Sequence, residues 1–219
     1  MVDLIHGLRA DAVRANLERI RGQIATAGRD PQDVEVLAAI KYVPVEELPV
    51  LAEAGVTLVG ENRAQDLAAK SEAIGEAFTW DFIGHLQSRK VRDIVDRVRY
   101  IHSVASDSAL AQLARYGTEK TQVMIEVNVA GEAGKSGIAP SELPDFIQRC
   151  PVSVVGLMTM PPLARRPQDN RPYFAALHEL ADRHGLPQLS MGTTQDYVVA
   201  LQEGATIVRL GSVLFAGAP

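Results

Sequence analysis

Eight short apolar runs alternate with stretches of helical periodicity, and that alternation restricts the possible folds more than any other feature of the chain. The runs are VEVLAAI (34–40), TLVG (57–60), WDFIG (80–84), RYIHSV (99–104), QVMIEVNV (122–129), VSVVGLM (152–158), LPQLSM (186–191) and TIVRLG (206–211). Between them lie helix-like stretches, among them VEELPVLAEAG, RAQDLAAKSEAIG, SDSALAQLARYG, PSELPDFIQRC, RPYFAALHELADRHG and TQDYVVALQEG. Several of these end in glycine, a helix stop. Strict β/α alternation makes sequential strands parallel, because each helix returns the chain to the same end of the sheet. Eight such units in 219 residues, with no long linker, predict an α/β fold of one closed (β/α)8 TIM barrel. An open doubly wound sheet is the rival; no GxGxxG follows the first strand to support it. Residues 8–27 add an extra N-terminal helix, with Leu8, Val13, Leu17, Ile20 and Ile24 along one side.

Composition narrows the classes of function. Apolar residues make up 47% and charged residues 22%, as in ordinary globular proteins. The net charge is −5 with both signs scattered, so no basic patch invites nucleic acid. No apolar run has the length of a membrane span, and the N-terminus lacks a signal-peptide core. Together with a single cysteine, Cys150, this leads us to expect a cytoplasmic protein without disulfides. The five histidines show no HExxH-type spacing, so no metal is expected.

The stretch NVAGEAGKSG (128–137) ends as a nucleotide-binding P-loop does. A P-loop needs a glycine five residues before Gly134, where this chain has Val129. It also needs a helix directly after the Lys-Ser pair, and here Gly137-Ile138-Ala139-Pro140 intervenes. The P-loop reading therefore fails.

In a barrel of this type the chemistry gathers at the C-terminal strand ends. Alternation puts Leu37, Ala39 and Lys41 on one face of the first strand. With that face toward the lumen, Lys41 points into the mouth, where partial desolvation would make its amine a nucleophile toward carbonyls. The alternative is a lysine stem reaching from a strand end to water. Ile207 and Arg209 share a face of the last strand, which neighbours the first in a closed barrel. A lysine and an arginine so placed call for an anion between them, unless an acidic residue pairs with the arginine. Thr194 and Ser212, at the starts of the last two helical stretches, could form a phosphate cup with backbone N–H groups, or could simply cap those helices. A reactive lysine, a nearby arginine and a phosphate cup suit pyridoxal 5′-phosphate.

These residues lie in AAIKYVP (38–44), GENRAQD (60–66), DFIGHLQSRK (81–90), IEVNVAGEAGKSG (125–137), VVGLMTMPP (154–162), LSMGTTQD (189–196) and VRLGSVLFAG (208–217). In this order the segments resemble the pyridoxal phosphate homeostasis protein family, relatives of alanine racemase, over essentially the whole chain. The resemblance implies residues 1–219 as one cofactor-bearing barrel domain, with residues 1–30 as a helix packed on it. It implies Lys41 as the Schiff-base lysine, Asn62 beside the cofactor, Arg209 at the pyridine nitrogen, and Gly211 and Ser212 at the phosphate. Ser190 joins the cofactor-binding set, and Thr194 stands where the family usually has a phosphate-binding serine. GEAGKSG resembles the family's loop after the fifth strand, where Lys135 and Ser136 either receive an anionic group or remain solvated.

The implied function is a monomeric intracellular carrier and buffer of pyridoxal phosphate with little or no catalysis of its own. Pyridoxal phosphate-requiring apoenzymes are the expected partners. An arginine at the ring nitrogen can only donate and weakens the ring as an electron sink. The chain ends at Pro219, where no second domain is expected to supply a further base. The alternatives are a low-activity pyridoxal phosphate-dependent racemase or decarboxylase, and a lysine aldolase without the cofactor. A nucleotide test follows from Val129: calorimetry should detect no magnesium-dependent ATP or GTP binding. Micromolar binding lost in Lys135→Ala would overturn this reading.

Overall fold

The strands close into a parallel barrel in sequence order, β1 through β8, with β1 paired to β8. The computed structural model describes residues 4–217. The strands are β1 (Glu35–Ala39), β2 (Leu58–Glu61), β3 (Thr79–Phe82), β4 (Tyr100–Val104), β5 (Gln122–Glu126), β6 (Ser153–Met158), β7 (Gln188–Thr193) and β8 (Ile207–Leu210). The α-helices are α1 (Ala10–Thr26), α2 (Leu48–Glu53), α3 (Ala64–Ile74), α4 (Val91–Ile94), α5 (Asp107–Tyr116), α6 (Leu143–Arg149), α7 (Arg171–His184), α8 (Tyr197–Gln202) and α9 (Ser212–Phe215). The barrel and the extra helix agree with the sequence reading, although most strands are shorter than the apolar runs and β2 and β7, equal in length to theirs, start later. Residues such as Ile40 and Val127 are apolar because they are buried just past the strand ends, not because they are paired within a strand.

Helix α1 buries Val13, Leu17, Ile20 and Ile24, the stripe expected from its spacing, and packs against α2, α8 and α9. Alternation divides each strand between two environments. Val59, Trp80, Phe82, Ile101, Val123, Ile125, Leu157, Leu189, Met191 and Val208 face outward and join the helix layer in one large core. Leu37, Leu58, Met124, Met158 and Ile207 form a separate cluster inside the barrel. The lumen is too narrow to stay empty, so its side chains must fill it in layers. Gly60 is small for that reason: a Cβ there would come within 2.4 Å of the Leu37 side chain.

Gly84 serves the mouth in a similar way. A Cβ on it would lie 2.0 Å from the carbonyl oxygen of Asn62 and 2.5 Å from its Cα. Backbone cannot step aside as a side-chain tip can. Gly84→Ala should therefore cost about 1–3 kcal/mol or more, the range for overpacking, and should displace Asn62. Thermal unfolding checks this, and an unchanged midpoint would mean the two loops separate freely.

Candidate functional site

Lys41 lies two residues past β1, in a turn closed by the Val43 N–H donating to the Ile40 carbonyl at 2.9 Å. Leu37 on the same parity belongs to the lumen cluster, so the face assignment behind Lys41 is correct. The expected desolvation is not found. Lys41 is exposed, with its ammonium 4.8 Å from the centroid of the Tyr42 ring. The turn carries it beyond the packed layers to the rim.

Arg209 lies deeper. Its register partner on β1 is Leu37, four residues before Lys41 and thus roughly 13 Å along an extended strand. The two cations occupy rim and floor and do not face each other at one level. Between them stand two small residues, Ala39 and Gly211; a Cβ on Gly211 would only approach Ala39, at 3.7 Å. Arg209 is 6% exposed, and its guanidinium is held from two strands. Nη1 donates to the carbonyl and hydroxyl of Ser190, both at 2.6 Å. Nη2 donates to the Thr159 carbonyl at 2.9 Å and to the Met160 sulfur at 3.0 Å. Burial pulls its pKa down to about 10, while Glu126 and Asp196 offset this through space. It remains cationic at neutral pH.

Ser190 is fully buried, and both of its oxygens serve Arg209. It reaches any ligand at the mouth through that arginine. Thr194 and Gly211 meet across β7 and β8, the Gly211 N–H lying 3.4 Å from the Thr194 hydroxyl. Neither Thr194 nor Ser212 caps a helix. Asp196, not Thr194, precedes α8, and its carboxylate accepts from the Thr193 N–H at 2.8 Å. Ser212 is the first residue of α9, whose N-cap position belongs to Gly211. These hydroxyls, one half-buried and one exposed, thus stand at the β7 and β8 ends beside a poorly paired amide. Asn62 completes the set on the β2 side. Its side-chain oxygen is buried without a hydrogen-bond partner, an arrangement that invites a donor or a bridging ligand group.

The sequence reading assigned no role to Glu126, Asp81 or Lys70, and noted His102 only as a polar residue at a strand end. Glu126 ends β5 on the lumen face and accepts from the Ser136 hydroxyl at 2.8 Å. Burial pushes its carboxyl pKa up, against the hydrogen bond from Ser136 and the nearby Arg209 and His85. Asp81 and His102 face the lumen from β3 and β4; the parity of Asp81 between Trp80 and Phe82 was the available signal. Lys70 lies on the core side of α3, in phase with Ala64 and Leu67. It pairs with fully buried Glu61 and donates to the Ile40 carbonyl at 2.8 Å. The other Glu61 oxygen accepts from the Asn62 N–H at 2.8 Å. One ion pair thereby ties down the backbone beside Lys41 and the backbone of Asn62.

The GEAGKSG loop is a closed excursion. It leaves β5 at Val127 and returns at Ile138, which bridges Val127. Asn128 clasps Glu132 with hydrogen bonds of 2.9 and 3.3 Å, and Lys135 pairs with Glu132. No helix follows Lys135-Ser136 directly; a 3-10 turn begins at Pro140. No cluster of potential metal ligands occurs among the described residues. No helix there is long and apolar enough to cross a membrane.

A match to the family model described as alanine racemase, N-terminal domain, covers residues 8–219, so this is a barrel of the alanine racemase class. The pyridoxal phosphate homeostasis protein of Aquifex aeolicus is 39% identical over 213 residues, 91% of this chain and 93% of the relative. The protein of the same name from Pseudomonas aeruginosa is 38% identical, over 92% of this chain and 94% of its own. The chain belongs to the pyridoxal phosphate homeostasis protein family. Among solved structures, PipY of Synechococcus elongatus, with pyridoxal phosphate bound, matches with a TM-score of 0.79 and 30% identity, over 93% of this chain and all of its own.

The Lys70–Glu61 pair gives a stability test. Removing one partner of a buried pair strands the other charge, so Lys70→Met should cost about 3–5 kcal/mol in urea unfolding. Adding Glu61→Gln, which keeps an acceptor for the Asn62 N–H, should recover part of that loss. A near-neutral single variant would mean that Glu61 is not held as an anion.

Proposed function

We propose that this chain holds pyridoxal 5′-phosphate at the barrel mouth through Lys41 and serves as a carrier and buffer of it. The cofactor, when bound, supplies an aldehyde and a ring that can accept electrons. Lys41 at the rim would hold the cofactor through its side-chain nitrogen, with that aldehyde's oxygen lost as water. The Thr194 hydroxyl, the Gly211 N–H and the Ser212 hydroxyl form the anion end, beside the start of α9. Asn62, with its unpartnered oxygen, lines the β2 side. Ala39 and Gly211 leave room for a flat ring between rim and floor.

Arg209 carries the functional reading. It is buried, cationic and donor-only, so its Nε–H, the donor that Ser190, Thr159 and Met160 leave over, could hydrogen-bond a neutral ring nitrogen, but it cannot accept a proton from a pyridinium. Such a partner holds the ring without making it a strong electron sink. Binding and release to apoenzymes that require the cofactor fit this site better than steady turnover. Glu126 favours a second reading, weak racemase or decarboxylase activity, because its raised carboxyl could hold a proton at the mouth.

The purified protein should load with pyridoxal phosphate and turn yellow, and borohydride should fix the cofactor on Lys41. Lys41→Ala should lose the visible band and keep its fold. The double variant Thr194→Ala/Ser212→Ala should bind more weakly by a few kcal/mol, on the scale of charge-assisted hydrogen bonds. Labelling on another lysine would sink the assignment of Lys41, and rapid α-proton exchange of alanine in heavy water would favour the enzyme reading.

A further inference from the structure

The lumen contains a Ser–His–Asp set that resembles a hydrolytic triad. His102 Nδ1 lies 2.8 Å from the Ser190 hydroxyl, and His102 Nε2 lies 3.0 Å from Asp81 Oδ2. Nucleophilic chemistry is ruled out by access. Ser190, His102 and Asp81 are all buried beneath the mouth, and the Ser190 hydroxyl already meets Arg209. No acyl group could approach it.

The same contacts extend further in both directions. Asp81 accepts a two-pronged bond from Arg99, at 3.1 and 2.7 Å. Arg99 also donates to Glu35 at 2.5 Å, at the opposite end of the barrel from the mouth. An unbroken line therefore runs from Glu35 and Arg99 through Asp81, His102 and Ser190 to Arg209.

Its two ends fix its direction. A guanidinium has only donors, and a carboxylate has only acceptors. Ser190 must therefore accept from Arg209 and donate its own hydrogen to His102 Nδ1. His102 must then be neutral, with its hydrogen on Nε2, donating to Asp81. A second hydrogen on Nδ1 would leave Ser190 facing donors from both sides. It would also place a third cation between Arg99 and Arg209. The charges agree with this. Burial lowers the His102 pKa, Asp81 opposes that, and Arg209 and Arg99 reinforce it. Burial alone would raise the Asp81 carboxyl, but the hydrogen bonds from His102 and Arg99 outweigh it. Glu126 on β5 and Asp196 before α8 are the further charged groups acting on Arg209.

We propose that Asp81 and His102 are positioning residues, which lock the Ser190 hydroxyl as an acceptor for Arg209 and so complete, with the Ser190 and Thr159 carbonyls, the set that holds the guanidinium in one orientation beneath the mouth. Its use toward the ring nitrogen rests on the reading that pyridoxal phosphate sits above Arg209. The locking itself does not depend on that reading.

Nitrogen-15 NMR of the cofactor-free protein tests the lock. His102 should show the Nε2–H tautomer without titrating between pH 6 and 8. The terminal N–H groups of Arg209 should be resolved, because rotation about the guanidinium is blocked. In Asp81→Asn an amide replaces the anion that sets the direction. His102 should then lose its single tautomer, and the Arg209 Nη1–H directed at Ser190 Oγ should shift. Ser190→Ala, which removes only the hydroxyl, should move that same Nη1–H signal even if the Asp81 variant fails to fold, while the N–H groups on the Ser190 and Thr159 carbonyls stay in place. With cofactor loaded, release from either variant should quicken about tenfold, the loss of roughly one hydrogen bond to a charged group. An Nδ1–H tautomer in the wild type, or an Arg209 Nη1–H signal unchanged in Ser190→Ala, would overturn the proposal. If borohydride labels no lysine in the wild type, the cofactor reading fails, and the NMR arms still decide the lock.

Discussion

The closed lumen makes one demand on everything else: each residue pointing into it must be packed or paired, because water cannot attend to it there. One part of the barrel meets that demand with Leu37, Leu58, Met124, Met158 and Ile207. The other meets it with a polar line from Arg99 to Arg209, in which each donor finds an acceptor. A partly paired line would be costly in such surroundings. Arg209 can be buried without a carboxylate bound to it because Ser190 and Thr159 supply carbonyl and hydroxyl oxygens at bonding distance.

The outer wall contributes differently. Lys70 and Glu61 sit between β2 and α3, away from the lumen, yet their bonds end on the Ile40 carbonyl and the Asn62 N–H. The two candidate ligand-binding residues on the β1 and β2 side are therefore positioned from behind. On the β7 and β8 side Asp196 has a comparable part. It accepts from the Thr193 N–H and hydroxyl, at 2.8 and 3.1 Å, and from Asn170 at 2.7 Å. That leaves Thr194 turned toward Gly211.

The architecture was legible because alternation and strand order follow from local pattern. The runs around Leu37 and Ile207 predicted the lumen face, and the closure of β1 on β8 brought Lys41 and Arg209 to the same side. Depth was not legible. Parity cannot tell that Arg209 aligns with Leu37 and not with Lys41, since that depends on stagger between strands far apart in sequence. Nor could local pattern show that Thr194 lies outside α8, where Asp196 takes the turn instead. Lys70 and Glu61 look like ordinary surface charges until the helix is docked. Asp81 and His102 acquire meaning only when four strands have converged.

Strand β1 completes its pairing only with β8, whose last residue is Leu210. Lys41 enters the growing chain long before Thr194, Arg209, Gly211 and Ser212. During synthesis the site cannot exist until β8 and Ser212 have left the ribosome and the seam has closed. A ligand bound across that seam would favour the closed state by mass action. Cofactor supply would then influence how many newly made chains reach maturity, as well as how many mature ones are loaded.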